Sequence, residues 1–227
     1  MKLATFTPAY LPSMDYFWRA AQADHIIYTD HFQYVKRSLS TISAPLDENK
    51  LLLRIPVLHD KKRLPLSEKR IDYSAPWHKK HFKSIHHLFH ELPYAYHYLP
   101  QIKAIFDKEI INLSDFLNEW QVIFLKWLQL PVKSKRASEI GFRDQNEAVL
   151  LFWCHKYSAK GYITQKEIFK KGWVDQELLE KKGIQCSTFA PMPEAHILTS
   201  YKDLSILNFL LQFGPEAGYL IRQYLPE

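Results

Sequence analysis

Short apolar runs alternate with amphipathic helical stretches from the first residues onward. Residues 3–7, Leu-Ala-Thr-Phe-Thr, read as a strand. Pro8 stops it, because proline has no N–H to give to a ladder. Residues 10–13 read as a loop, and Ser13 or Asp15 can cap a short helix carrying Tyr16, Phe17, Ala20, Ala21 and Ala23. His25-Ile26-Ile27-Tyr28 then reads as a second strand. Strand, crossover helix and strand in that order form a βαβ unit, so the two strands are predicted to be parallel. Ligands of open parallel sheets bind beyond the carboxyl ends of the strands. Those ends are the loop 8–13 and the segment that starts at Asp30.

Residues 51–57 read as a third strand, stopped by Pro56 and followed by Lys61, Lys62 and Arg63 in a polar loop. Pro76-Trp77 opens a helix predicted to run to about Glu91, with Pro93 closing it. Asn112 and Asp115 open another, in which Leu113, Phe116, Leu117, Trp120, Ile123, Phe124 and Trp127 recur at helical spacing until Pro131. Residues 132–137, with Lys133, Lys135 and Arg136, read as a linker. Beyond it the pattern predicts a buried helix over 144–157 and a Thr164/Glu167 capping box ending at Gly172. A helix from Asp175 to Gly183, a strand over 184–189, a helix over 204–213 capped by Asp203 and ended by Gly214, and a last helix opened by Pro215 complete the chain. The predicted fold class is α/β: an N-terminal βαβ-type parallel (or mixed) sheet unit with a largely helical C-terminal half. The expected division is 1–131 as the α/β core and 132–227 as a mainly helical part packing on it, or one continuous domain.

Composition narrows the function classes. A chain of 227 residues, 47% hydrophobic and 24% charged, can bury a core without disulfides and is neither disordered nor fibrous. The opening Met-Lys-Leu-Ala-Thr-Phe-Thr-Pro is not a secretory signal, and no apolar run approaches the roughly 18 residues of a membrane span. Cys154 and Cys186 both sit in apolar runs and read as inert thiols of a reducing compartment, so the expected address is cytoplasmic. Aromatics reach 15%, which means packed rings or flat faces that stack on a ligand. The net charge of +6 is spread along the chain among 24 acids. That suits a phosphate-bearing small molecule and argues against nucleic acid, whose binders cluster their cations.

Two constellations offer chemistry. His78, His81, His86, His87 and His90 crowd one helix, and His86 and His90 share a face. No H-E-x-x-H and no distant partner accompany them, so no metal is expected. His81, one turn after Trp77, is the better site residue. The segment 30–38 offers Asp30, Gln33, Lys36, Arg37 and Ser38 just past a predicted strand. Lys36 and Arg37 can hold phosphate or carboxylate, and Asp30 can hold a sugar hydroxyl or act as a base. Glycine-rich phosphate loops and the G-x-S-x-G elbow are absent, and with six glycines any phosphate must be held by side chains or a helix N-terminus.

Three blocks carry a family resemblance. The first is Thr7-Pro8-Ala9-Tyr10-Leu11-Pro12, then Tyr16-Phe17, Ala23-Asp24, Asp30, Gln33 and Lys36-Arg37-Ser38. The second is Ile55-Pro56-Val57 with Ile71-Asp72, Trp77, Lys80-His81, Ser84-Ile85 and Pro93-Tyr94. The third is Leu204-Ser205-Ile206-Leu207 with Gly214-Pro215-Glu216-Ala217. In this order they resemble the WbqC-like protein family. The resemblance implies a role in bacterial surface polysaccharide (O-antigen-type) or glycan-precursor biosynthesis, as a transferase acting on a nucleotide-linked or amino sugar. The substrate would be a phosphate-bearing sugar or an activated acyl donor, and no cofactor is specified. The chain departs from the family where Phe6-Thr7 replaces His-Gln before the first proline. That departure leaves open a non-catalytic ligand-binding or assembly protein of the same pathway. The expected site gathers Tyr10, Gln33, Lys36, Arg37, Ser38 and Trp77 around the ligand, with His81 and Asp30 as the acid–base groups. On that arrangement, Arg37→Ala and His81→Ala are expected to leave folding intact and abolish binding or turnover.

Overall fold

The computed structural model describes residues 1–140, 147–194 and 196–226. Its elements in chain order are β1 (Lys2–Phe6), α1 (Met14–Ala20), β2 (His25–Tyr28), α2 (Trp77–Phe89), α3 (Ala95–Asp107), α4 (Leu113–Trp127), β3 (Lys133–Arg136), α5 (Ala137–Ile140), α6 (Glu147–Lys156), β4 (Gly161–Thr164), α7 (Lys166–Lys170), α8 (Gln176–Lys181), β5 (Gln185–Thr188), α9 (His196–Thr199), α10 (Ile206–Phe213) and α11 (Glu216–Gln223). Every strand pairing is parallel, and the sheet order is β3-β2-β1-β4-β5. The chain thus builds outward from β1 to one side, then returns to build outward on the other. Such a reversal creates a crevice between the two central strands at their carboxyl ends.

Alternation along the central strands explains why both faces are covered. Ala4, Phe6, Ile26, Tyr28 and Ile163 point into the larger core with α1, α3, α4 and α10, whereas Leu3, Ile27 and Tyr162 point into a smaller one with Val149, Leu150, Trp153 and Leu179. Parallel strands need such two-sided burial. Caps set the helix starts. Ser13 Oγ accepts from Tyr16 N, Asn112 Oδ1 from Asp115 N at 3.1 Å, and Asp175 Oδ1 from Leu178 N at 3.0 Å. Gly214 ends α10 at φ 55°, and a side chain at Gly218 would overlap the Leu128 carbonyl oxygen, so α11 lies directly on the end of α4.

The sequence reading of the first βαβ unit matches this architecture, and four local expectations do not. Residues 51–57 form isolated bridges, Ile42 to Arg54 and Val57 to Ile71, because Leu51 and Leu52 remain in solvent and Pro56 lacks a donor. Residues 132–137 are not a linker: Lys133–Arg136 is the edge strand β3, registered His25 to Lys133 through Tyr28 to Arg136. Thr164 is the last residue of β4 rather than a cap, and α7 starts after Gln165 without a side-chain cap. Ser205, not Asp203, caps α10 through Leu207 N. Helix α3 was not assigned from the sequence; Pro100 is accommodated inside it. Asp144, the expected start of the helix that includes Glu147–Lys156, lies outside the described residues.

Candidate functional site

A cavity of about 600 Å³ lies where the strand order reverses. Its floor is the carboxyl end of β1 (Thr5, Phe6, Thr7) and of β4 (Tyr162, Thr164, Gln165), with Thr29 after β2 and Phe189 after β5. Tyr16 and Arg19 enter from α1, and Trp153 from α6. Phe32, Leu39 and Trp173 line the mouth and are exposed, Trp173 to 64%.

The polar lining is organised by hydrogen bonds. Thr5 Oγ1 and Tyr162 Oη are 2.8 Å apart, the Tyr16 hydroxyl donates to the Thr7 carbonyl at 3.1 Å, and the Thr29 hydroxyl donates to the Phe6 carbonyl at 3.2 Å. Burial pushes the Tyr16 and Tyr162 phenols up, so both stay neutral donors. Arg19 is the cavity's cation. Its Nε donates to Asp15 Oδ2 at 2.9 Å and to the Asp15 carbonyl at 3.3 Å, one helical turn back. These bonds fix the guanidinium plane and occupy Nε; among the described residues, Nη1 and Nη2 have no hydrogen-bond partner. A fork held in this way presents two parallel N–H donors to a carboxylate or phosphate.

The helix N-terminus that usually receives a pyrophosphate in such sheets is already taken. Met14 N donates to Leu204 O and Asp15 N to Lys202 O, both at 3.0 Å, while Tyr16 N turns back to Ser13. The β1–α1 loop also carries buried Tyr10 and Leu11 in place of glycine. An anion at this end of the sheet would therefore have to meet side chains rather than these amides.

The sequence-selected residues separate into three places. Tyr10, Trp77 and His81 do meet: Tyr10 Oη lies 2.9 Å from His81 Nδ1, and the Trp77 ring stands edge-on to His81 at 5.0 Å. All three are buried, with Tyr10 and Trp77 packed on Phe116 and with Trp77 and His81 packed on Phe106; none of them lines the cavity at the strand-order reversal. Desolvation, with a smaller contribution from His78, lowers the His81 pKa to about 4, against a favourable backbone interaction with Arg54. The ring is a neutral structural partner of Tyr10 near neutral pH. Asp30 is fully buried and accepts from Ser114 Oγ (2.7 Å), Ser138 Oγ (2.6 Å) and Ser138 N (2.9 Å), tying the β2 exit to the starts of α4 and α5. Lys36 and Arg37 are exposed, and Arg37 holds a left-handed φ of 60°. Gln33 is exposed beside a smaller pocket, and the Ser38 carbonyl closes a turn onto Thr41 and Ile42. The loop still reaches the cavity, because Phe32 and Leu39, which flank these residues in sequence, line its mouth.

Arg19 and Gln165 were not singled out in the sequence, and Thr7 and Tyr16 were named there without being placed in the site. Thr7 and Gln165 directly follow strands, which was the usable signal, but it required placing β4. Arg19 could have been found only as the i+4 partner of Asp15 on a helix leaving β1.

A parallel sheet covered on both faces, with a cavity of about 600 Å³ at the strand-order reversal, defines a doubly wound α/β protein. A family model for the WbqC-like protein family matches residues 7–219, and the chain belongs to that family. No curated protein and no solved structure gives a significant match. Among the described residues, no helix is long and apolar enough to cross a membrane.

Proposed function

We propose that this WbqC-like protein acts in the cytoplasm, in bacterial surface polysaccharide (O-antigen-type) or glycan-precursor biosynthesis, as a transferase on a nucleotide-linked or amino sugar held in the cavity at the strand-order reversal. The observation that carries the reading is Arg19: one immobilised guanidinium in a cavity of ligand size, surrounded by threonine and tyrosine hydroxyls and aromatic faces. Arg19 would grip the phosphate or carboxylate, Thr7 and Gln165 would meet hydroxyls, and Tyr16 or Trp153 would supply ring faces. Lys36, Arg37, Gln33 and Ser38 would add charge and hydrogen bonds from the loop between Phe32 and Leu39. In this reading Tyr10, Trp77, His81 and Asp30 position the strand ends rather than touch the substrate.

A thermal-shift screen with nucleotide sugars, amino-sugar phosphates and acyl donors tests the proposal. A ligand at one hundred times its dissociation constant stabilises the fold by about 2.7 kcal/mol. The expected outcome is stabilisation by a phosphate- or carboxylate-bearing sugar ligand that disappears in Arg19→Gln. Equal shifts in wild type and Arg19→Gln would remove this cavity from the reading. A second reading, binding without turnover, is favoured by the lining itself: among the described lining residues there is no carboxylate, imidazole, amine or thiol. Ligand binding without product by mass spectrometry distinguishes it.

A further inference from the structure

The two walls of the cavity at the strand-order reversal belong to opposite faces of the sheet. Phe6 and Tyr16 are part of the larger core on the α1 face, and Arg19 enters from that same helix. Val149, Leu150, Trp153 and Tyr162 are part of the smaller core on the other face, and Val174 packs against it. The cavity therefore runs over the carboxyl edge of the sheet, from a wall that carries a cation to a wall built of aliphatic and aromatic side chains.

That second wall has little hydrogen-bonding capacity to offer. The Tyr162 hydroxyl is shared between Thr5, at 2.8 Å, and Thr164, so its polar groups are closed upon one another. A sugar hydroxyl pressed against Val149, Leu150 and Val174 would give up water and gain no partner. A hydrocarbon group there gives up nothing and frees the wall of water. The mouth continues the same surface: Phe32, Leu39 and Trp173, exposed to 42%, 58% and 64%, all line it. Large apolar side chains scattered singly over a surface are ordinary, but gathered around one opening they mark a face that a ligand completes.

We propose that the ligand of this cavity carries an apolar substituent, an alkyl or acyl chain, which lies along Val149, Leu150, Trp153 and Val174 on the wall opposite Arg19. The substrate class thereby narrows from any phosphate-bearing sugar to one that bears such a chain. That the remainder of the ligand is a phosphate-bearing sugar rests on the reading above; the chain does not.

The test is calorimetric titration of the full chain with ethyl, butyl and hexyl phosphate, each below its micellar concentration, and with glucose 1-phosphate. Each methylene taken out of water is worth about fourfold in affinity, and hexyl phosphate is expected to bind at least roughly tenfold more tightly than ethyl phosphate. The heat-capacity change of binding is expected to grow more negative along the series. Val174→Asn is expected to flatten the series and leave the affinity for ethyl phosphate in place. Should that variant fold poorly, Val174→Thr, which keeps the shape and adds a hydroxyl, is expected to reduce the gain per methylene. A flat series in wild type, or an equal gain in wild type and in the Val174 variant, overturns the chain. Glucose 1-phosphate separates the two claims. If the series is flat while glucose 1-phosphate binds wild type and fails with Arg19→Gln, the cavity reading stands and the chain falls. If the series climbs and depends on Val174 while glucose 1-phosphate does not compete with hexyl phosphate, the chain stands and the sugar falls.

Discussion

The Tyr10–Trp77–His81 cluster and the cavity at the strand-order reversal use the same kinds of residue to opposite ends. Both gather tyrosine and tryptophan rings close to the β1 exit. In the cluster, rings pack on rings at 5.0–6.3 Å, water is excluded, and the Tyr10 hydroxyl and the His81 imidazole satisfy each other. In the cavity, rings and hydroxyls leave about 600 Å³ open, and a guanidinium is held by one edge with its other nitrogens unengaged among the described residues. The difference lies in whether the polar atoms are closed upon one another or left with capacity. A polar residue near a strand end is structural when its hydrogen bonds are complete and is available for ligands when they are not.

The strongest way to break this comparison is to attack the cluster. His81→Ala removes a packed ring and orphans the Tyr10 hydroxyl, and it is expected to cost about 4 kcal/mol, read as a lower urea midpoint. This reverses the expectation from sequence that the substitution spares folding. An unchanged midpoint would return His81 to the list of ligand-binding groups. The next effect is on pH. The folded pKa of His81 is about 4 against 6.5 unfolded, so the unfolded state takes up a proton first as pH falls. The associated stability is present above pH 6.5 and lost as pH falls toward 4, by about 3 kcal/mol over that window. His25 and His31, whose pKa values are also lowered by burial, act with the same sign. Melting temperature against pH checks this, and His81→Gln should flatten the curve.

Arg19→Gln sharpens the other side. The Arg19–Asp15 pair is partly exposed, so its loss is expected to cost less than about 1 kcal/mol of stability. Ligand affinity should fall by roughly 10- to 100-fold, or about 1.4 to 2.8 kcal/mol, by isothermal titration calorimetry. A stability loss as large as that of His81→Ala would make Arg19 another structural residue. The smallest effect belongs to Arg37→Ala. Its side chain is exposed on the loop, so stability should stay within about 0.5 kcal/mol. Affinity for a phosphate-bearing ligand should drop a few-fold, in a salt-dependent way; an affinity that does not move excludes the loop from the site.

Much of the fold was legible because its signals are local. Pro8, the Ser13 cap and the apolar pairs Leu3/Phe6 and Ile26/Ile27 mark β1, α1 and β2, and Asn112 and Asp175 mark two helix starts. The edge strand β3 was not legible, since Lys-Ser-Lys-Arg has no apolar side to read. It is held by ladder hydrogen bonds to β2, and its lysines suit a sheet edge. The site was half legible for a related reason. The end of β1, singled out in the sequence, lines the cavity, but the histidine and tryptophan selected beside it turned inward, while an arginine from the middle of α1 reached the cavity.

By itself the chain determined the βαβ opening with its parallel strand pair and the helix caps at Ser13, Asn112 and Asp175, because each follows from neighbouring residues and their periodicity. Tertiary structure decided which polar groups meet water and which meet one another. That choice depends on elements far apart in the chain, such as α2 closing over Tyr10 or the 202–206 segment occupying the amides of α1. Solvation is a property of the assembled packing, and no spacing of residues along the chain encodes it directly.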